Sequence, residues 1–156
     1  MRHGPAGNRG DVEDDFHRPL TKAGTEQTAS AAKGLRAISV KPDALLSSPL
    51  TRALQTAEIV AKELGLKVSI VDALAAGATP GEILEAIRER DGDVLIVGHD
   101  PDFSALVSYL LAGETQTFMD FSKSGIVALR FKQKPEHAAG SLLWYMRRKQ
   151  LASLSK

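Results

Sequence analysis

Three short stretches of the sequence combine histidine, arginine and small residues in a pattern that suits phosphate chemistry. Arginine presents a rigid, permanently charged fork of N–H donors that fits phosphoryl oxygens. An imidazole nitrogen can attack phosphorus and carry the phosphoryl group as a covalent intermediate. The three stretches are Arg2-His3-Gly4, Ser47-Ser48 with Arg52, and Gly98-His99. Their combination predicts phosphoryl transfer to a histidine.

The two histidines and two arginines of these stretches each have a role in that chemistry. Catalysis of phosphoryl transfer is mainly positioning and charge stabilisation, because the charge is spread over the equatorial oxygens. Arg2 and Arg52 would bind those oxygens and lower the pKa of His3, since nearby cations disfavour an imidazolium. His99 would donate a hydrogen bond to a non-bridging oxygen. The scheme requires no metal ion or other cofactor, and the sequence shows no Asp and Glu cluster with magnesium spacing.

Taken singly, each motif has a structural alternative. A histidine at a strand end is more often a hydrogen-bonded structural residue, and Arg52 alone reads as an exposed helix residue. The Arg-His-Gly triplet is short enough to occur by chance. The phosphoryl-transfer hypothesis therefore depends on the motifs being brought together by the fold.

The elements that must position these motifs alternate along the chain. Helix-like stretches, several with Thr or Gly at their ends as caps, separate short apolar runs that are typical of strands covered on both faces. The strand candidates are 67–71, 93–99, 125–131 and 141–146, with 43–48 weaker, and the helix candidates are 21–38, 51–65, 79–90 and 102–113. This alternation predicts an α/β fold with a layered, mostly parallel sheet. Sites in such sheets lie past the carboxyl ends of the strands, where all three motifs fall.

Composition excludes several classes of function. The 156 residues carry a net charge of +1, from 20 basic and 19 acidic side chains, so no charged surface for nucleic acid or anionic membrane is indicated. The absence of cysteine excludes disulfides, thiol catalysis and thiolate-bound zinc. No apolar run approaches the roughly 20 residues of a membrane span, and no signal peptide is visible, which predicts a cytoplasmic protein.

Five linked motifs resemble the histidine phosphatase superfamily, which has the phosphoglycerate-mutase-like fold. They are "RHG", "RPLTKAG" (18–24), "SSPLTRALQTAEI" (47–59), "VGHDPDFS" (97–104) and "KSGIVAL" (123–129). The stretch from Asp15 to Gly24, together with Trp144, is similar to the small phosphohistidine phosphatase branch. The resemblance covers nearly the whole chain in order, and it implies a three-layer α/β/α sandwich.

The resemblance also implies roles for individual residues. His3 matches the family's nucleophile, Arg2 and Arg52 its phosphate-binding arginines, and His99 the second histidine of the phosphate pocket. Gly4 and Gly98 match positions where the backbone passes close to the phosphate. The alternative for "RPLTKAG" is a helix start in which Arg18 pairs with a carboxylate such as Asp15.

The sequence departs from the family pattern at its beginning. Family members have an apolar strand before the Arg-His-Gly motif, in the middle of the sheet, and no such strand precedes Arg2 here. We expect a single domain over residues 1–156 that belongs to a longer natural protein, because loss of a central strand should be severely destabilising.

A second departure concerns the general acid that phosphate-ester hydrolysis needs. The motif-matched position is Ala73, and Asp72, Glu82 and Asp100 are the remaining candidates. Each has a structural alternative: a turn after a strand for Asp72, a capping box for Glu82, and a helix cap for Asp100. An imidazole leaves phosphorus more easily than an alkoxide, so a pocket without a strong acid favours phosphohistidine as substrate.

These observations predict a metal-independent phosphatase that forms a covalent phosphohistidine on His3. The expected partner is a phosphorylated signalling protein such as a histidine phosphotransfer domain, because the short chain shows no lid insertion and implies an open pocket. A small phosphate ester is the other substrate class, acted on by a phosphatase or mutase of the same fold. A catalytically dead phosphate-binding module is the alternative outside enzymes, and nucleic acid and membrane are not expected partners.

Overall fold

The computed structural model describes residues 1–155, and the predicted strands and helices all form. The helices are α1 (Lys22–Ala37), α2 (Thr51–Leu64), α3 (Pro80–Arg88), α4 (Asp102–Ala112) and α5 (Arg148–Leu154). The strands are β1 (Ala44–Ser47), β2 (Val68–Ile70), β3 (Val94–Val97), β4 (Ile126–Arg130) and β5 (Ser141–Met146). Two 3-10 turns cover Asp15–His17 and Asp72–Leu74. Helix α5 is the one helix that was not predicted, because the end of the sequence is basic and is typical of a solvated tail. The helix is held against the core by Leu151, which is fully buried.

The predicted α/β/α arrangement is confirmed, with strands in the order β2-β1-β3 forming a parallel sheet. Successive side chains of β1 point to opposite faces, so Leu45 packs in one core and Leu46 in the other. Helices α1, α2 and α5 cover the first face, and α3 and α4 cover the second. Both faces are therefore buried, which explains the continuous apolar runs of the sequence.

The last two strands, which form where strands were predicted at residues 125–131 and 141–146, pair with each other as an antiparallel hairpin. The parallel pairing runs through β1, β2 and β3. The connection between β4 and β5 is a short loop that contains His137, too short for the crossover that parallel pairing needs.

The Arg-His-Gly segment lies between these two groups of strands. The His3 N–H donates to the Gly98 carbonyl oxygen at 3.0 Å, just past the end of β3. On its other side, the Arg2 N–H donates to the Gly125 oxygen at 3.1 Å, and the Ser124 N–H donates to the His3 oxygen at 3.2 Å. The segment is thus held from both sides at the carboxyl end of the sheet.

A cleft of about 640 Å³ separates the facing edges of β3 and β4. Its lining is largely apolar and includes Met1, Leu95, Phe121, Ile126 and Trp144. The predicted phosphate-binding side chains do not line it, so the cleft is a feature of the sheet and not of the candidate site.

Helix ends follow the predicted capping pattern. The Thr21 hydroxyl accepts from the Gly24 N–H, and Thr79 and Glu82 form a complete capping box at the start of α3. Gly65 ends α2 with φ of 71°, a left-handed conformation that glycine adopts without strain. Within residues 1–155, none of the helices combines the length and the apolar character that a membrane span requires.

Candidate active site

The four side chains predicted to act on phosphate converge at the carboxyl end of the parallel sheet. The rings of His3 and His99 lie with their centroids 5.3 Å apart. Arg52, from the first turn of α2, and Arg2 lie close enough for their charges to act on both rings. His3, Arg52 and His99 are all less than a tenth exposed. The fold therefore assembles one buried cluster from three distant parts of the chain.

The hydrogen bond of His3 defines the state of its ring. Its Nδ1 lies 2.7 Å from the carbonyl oxygen of Gly4. A carbonyl oxygen can only accept, so Nδ1 carries the proton and Nε2 keeps a free lone pair. Burial, followed by neighbouring charges that include those of Arg52 and Arg2, lowers the pKa of His3 to about 3. The ring is thus neutral near pH 7 and has the form a nucleophile needs.

His99 is held by a serine that lies directly after β1. Its Nε2 is 2.7 Å from the Oγ of Ser48, which is fully buried. Burial first, and the charge of Arg52 second, lower the pKa of His99 to about 4. The second histidine is therefore also neutral near pH 7, and hydrogen bonding decides which nitrogen is a donor.

Arg52 is fixed by the 3-10 turn that precedes α1. Its Nη1 donates to the Asp15 carbonyl oxygen at 2.9 Å, and its Nη2 lies 3.3 Å from the Asp15 carboxylate. The same carboxylate accepts from Nε of Arg18 at 2.7 Å, so Asp15 bridges two arginines. The hydrogen bond from Arg18, with the charges of both arginines, lowers the pKa of Asp15.

The predicted pairing of Arg18 with Asp15 is present, yet Arg18 also belongs to the site. It is nine-tenths buried, its Nη1 donates to the Gly7 oxygen at 2.7 Å, and its charge helps lower the pKa of His99. Lys123 is a further cation that the sequence analysis did not single out. Burial is the main cause that lowers the pKa of Lys123, and the charges of Arg2 and Arg18 lower it further. Lys123 therefore lies near these two arginines. Its place within the "KSGIVAL" motif was the available signal.

Arg2 contacts a backbone carbonyl and a carboxylate beside the site. Its Nη1 donates to the Phe121 carbonyl oxygen at 2.6 Å and lies 3.8 Å from the Asp100 carboxylate. Four cationic side chains thus face two carboxylates, Asp15 and Asp100. The excess of positive charge suits a phosphoryl dianion.

The glycine of the motif has a packing role. The Gly4 N–H donates to the Thr56 hydroxyl at 2.9 Å, so in this structure it does not point freely at a ligand. A Cβ at this position would overlap the Thr28 hydroxyl. A Cβ on Gly98 would likewise press on the ring of Phe103. Close packing is a sufficient reason for both glycines, beside the phosphate contact that the family resemblance implies.

The three candidate acids lie in different surroundings. Asp72 is exposed in a 3-10 turn after β2, as its structural alternative predicts. One Glu82 oxygen accepts from both the N–H and the hydroxyl of Thr79, in the predicted capping box. Asp100 is the candidate that borders the cluster, through Arg2.

The helix-cap interpretation of Asp100 is wrong. The residue at the N-cap of α4 is Pro101, and no side chain caps this helix. The Asp100 carboxylate instead accepts a hydrogen bond from the Ser104 hydroxyl, one turn into the helix. Asp100 thus remains the carboxylate through which the site could supply a proton.

The other two histidines lie outside the cluster. His17 is exposed in the 3-10 turn that supplies Asp15, and its ring packs edge-on against Phe16. His137, in the loop between β4 and β5, packs its ring at a tilt against the ring of Tyr109, with the centroids 4.6 Å apart. The cluster can therefore present one free imidazole lone pair, on His3, beside a group of cations. That arrangement is suited to accepting a phosphoryl group.

Comparison with known proteins gives a consistent result. The family model of the histidine phosphatase superfamily (branch 1) matches residues 1–76. The chain is 32% identical over 152 residues to the phosphohistidine phosphatase SixA of Escherichia coli. This alignment covers 94% of this chain and 90% of the relative. It is 37% identical over 136 residues to an uncharacterized protein of Picosynechococcus, with 83% of this chain and 82% of the relative covered.

Solved structures agree. The protein histidine phosphatase SixA complexed with tungstate superimposes with a TM-score of 0.84 at 29% sequence identity. The match covers 97% of this chain and 96% of the other. The phosphoglycerate-mutase-like fold expected from the sequence is thereby confirmed.

Proposed function

Because the chain belongs to the histidine phosphatase superfamily, we propose that it hydrolyses phosphohistidine through a covalent phosphate on His3. The observation that carries this proposal is the hydrogen bond from Nδ1 of His3 to the Gly4 oxygen. It leaves Nε2 unprotonated in a ring whose pKa is lowered to about 3. Burial and cations alone would disfavour a charged ring; the hydrogen bond also selects the attacking nitrogen.

The reaction has two steps. Nε2 of His3 attacks phosphorus, a bond forms between them, and the bond from phosphorus to the substrate imidazole breaks as that nitrogen takes up a proton from solvent. His3 keeps its Nδ1–H while it carries the phosphoryl group. Water then attacks phosphorus, the bond to Nε2 breaks, one proton of the water returns to solvent, and inorganic phosphate leaves with a neutral His3 restored. Arg2 and Arg52 hold the phosphoryl oxygens through both steps, and His99 donates a hydrogen bond to one of them.

The absence of a carboxylate at position 73 supports phosphohistidine over an ester substrate. Ala73 stands where an acid is expected, and the nearest candidate, Asp100, is engaged by Ser104 and lies near Arg2. The relative from Escherichia coli is named a phosphohistidine phosphatase. We infer that the substrate is a phosphorylated histidine presented by another protein.

A small phosphate ester is the second candidate substrate, and the position of Asp100 is the observation that favours it. Its carboxylate lies 3.8 Å from Arg2, so it could protonate an alkoxide leaving from a phosphate bound there. Asp100→Asn separates the two candidates. Ester hydrolysis should fall by roughly a hundredfold if Asp100 is the acid, whereas phosphohistidine hydrolysis should change little.

The test of the proposal is rapid quenching of the protein with a phosphorylated histidine phosphotransfer domain. Alkaline quenching preserves N–P bonds, and mass spectrometry locates the phosphate. We expect label on His3 together with released phosphate, and neither in His3→Ala. His17→Ala is the matched control, because it removes an exposed histidine from the same protein. Phosphate binding without label or release would contradict the proposal and leave a binding module.

A further inference from the structure

We propose that Ser48 is a positioning residue that sets the tautomer of His99, so that Nδ1–H of His99 is the donor offered to the phosphoryl group. This inference rests on the proposed function and deepens it. Its starting observation is the 2.7 Å contact between Oγ of Ser48 and Nε2 of His99, both in buried residues. A contact of that length is a hydrogen bond in one of two directions.

The backbone decides the direction. The Leu50 N–H donates to the same Ser48 oxygen at 3.2 Å, so the oxygen already accepts one hydrogen bond. Within residues 1–155, Nε2 of His99 is the partner in reach for the hydroxyl hydrogen. If Nε2 carried the proton and donated instead, the buried hydroxyl hydrogen would have no acceptor, and the lone pair of Nδ1 would have no donor. If Ser48 donates, the Nδ1–H is the one group of the pair left without a partner among residues 1–155, and a bound phosphoryl oxygen can accept from it. Each unsatisfied buried group costs about 1–3 kcal/mol, so the arrangement in which Ser48 donates and Nε2 accepts is the more stable.

The other ring nitrogen then becomes the donor. Burial and Arg52 lower the pKa of His99 to about 4, so its ring is neutral and carries a single N–H. With Nε2 accepting from Ser48, that hydrogen is on Nδ1. Nδ1 is buried and has no hydrogen-bond partner among residues 1–155. A buried, unpaired N–H on the ring next to His3 can donate a hydrogen bond to an oxygen of the phosphoryl group during its transfer.

The register of the parallel sheet holds the pair in place. Ser47 at the end of β1 lies beside Val97 at the end of β3. The Ser48 N–H then donates to the Val97 carbonyl oxygen at 3.0 Å, which extends the pairing by one residue. Ser48 and His99 thus follow two adjacent strand ends. The tautomer of His99 is set by backbone pairing and not by a flexible loop.

The experiment combines nitrogen NMR of the histidine rings with kinetics. Long-range proton–nitrogen spectra of the resting protein report which nitrogen of His99 is protonated. We expect Nδ1–H in the natural chain and a mixture of tautomers in Ser48→Ala. Because loss of the tautomer removes a hydrogen bond to a charged group, we expect kcat/KM to fall at least tenfold. Added inorganic phosphate should shift the Nδ1–H signal of the natural chain.

Ser47→Ala is the matched control. Ser47 is equally buried, but its hydroxyl donates to the Ser48 carbonyl oxygen at 2.9 Å and not to the ring. It should keep the tautomer of His99 and most of the activity. Nε2–H in the natural chain, or an unchanged tautomer in Ser48→Ala, would overturn the proposal, as would an Nδ1–H signal unmoved by phosphate. The resting tautomer is measured without substrate, so a failure of His3 to become phosphorylated is a separate result that concerns only the proposed function.

Discussion

Two neutral imidazoles in a cationic pocket define the site at the scale of single residues. Burial is the largest influence on both rings, and it removes the proton that a solvent-exposed histidine would hold in mild acid. In the proposed function, the arginines bind the phosphoryl oxygens and His3 accepts the phosphoryl group. A neutral nucleophile and charged binding groups are compatible here because the Nδ1–H of His3 donates to the Gly4 oxygen, and Asp15 partly balances Arg18 and Arg52.

The lowered pKa values predict an unusual pH profile. His3, with a pKa of about 3, and His99, with a pKa of about 4, should both stay neutral from pH 8 down to pH 5. NMR chemical shifts of the His3 and His99 ring protons should therefore show no titration near pH 6.5 in that range. A transition of either ring centred near pH 6.5 would contradict the neutral, buried state of these rings.

The same shifts predict a loss of stability in acid. In the unfolded chain a histidine takes up a proton below about pH 6.5, whereas the folded rings resist protonation down to about pH 3 and 4. The unfolded state then binds more protons, so the free energy of unfolding falls as the pH falls below 6.5. Between pH 7 and 5 each ring should contribute a loss on the order of 2 kcal/mol, measured by urea denaturation. His17→Gln, at an exposed position, should leave the change in the free energy of unfolding between pH 7 and pH 5 as it is in the natural chain.

Replacing Arg52 tests whether a planar fork is required. Arg52→Lys keeps the charge but loses the paired N–H donors, so kcat/KM should fall by roughly a hundredfold. Arg36→Lys, on the exposed face of α1, is the matched control and should have near-normal kinetics. Equal activities in the two variants would show that Arg52 contributes only charge.

At the scale of elements, α1 contacts α5 closely through a glycine. A Cβ on Gly34 would overlap the Leu151 carbonyl oxygen, so the two helices can pack only with hydrogen at this position. Gly81, in the first turn of α3, has open space around its Cβ direction. The two glycines therefore allow the same substitution to be compared with and without a packing conflict.

Gly34→Ala should reduce the free energy of unfolding by about 1–3 kcal/mol, because α5 must move away from α1. Gly81→Ala should raise it by up to about 1 kcal/mol, because alanine has the higher helix propensity. Chemical denaturation of both variants measures the pair. A stabilising Gly34→Ala would show that α5 does not pack on α1 as described.

The capping box of α3 gives a second prediction for an element. Thr79→Ala removes the acceptor for the Glu82 N–H and should cost about 1 kcal/mol of stability. Turnover should be unchanged, since this cap is not part of the cluster. Glu82→Gln should retain turnover as well, and a large loss of activity there would return Glu82 to the candidate acids.

For the molecule as a whole, the Arg-His-Gly segment joins the parallel strands to the antiparallel hairpin. The cleft of about 640 Å³ lies between the same two groups of strands. Among residues 1–155, β3 pairs with β1 alone and β4 with β5 alone along most of their facing edges. The sheet is therefore continuous at the site and open beside it.

Local features of this protein could be predicted from the sequence because their causes are local. The apolar runs form strands, Thr79 and Glu82 form a capping box, and Gly65 ends a helix, as predicted. Each of these features depends on residues only a few positions apart in the sequence. The residue types of the site were also visible, since phosphate chemistry needs imidazole and guanidinium groups. The helix at 148–154 was missed because its one buried residue is buried by a distant helix, α1.

Only the tertiary structure decided the state of the site. Ser48 meets His99 across 51 residues of sequence, and Gly4 meets Thr56 across 52. Which nitrogen of a ring is protonated, and how far its pKa moves, depend on such partners and on burial by other segments. Arg18 and Lys123 lie in the site for the same reason, and the fold distinguished Asp100 from the other two candidate acids. Hydrogen bonding and desolvation act through space, so residue types in order along a chain determine the available chemistry, and the packed fold determines which atoms carry it out.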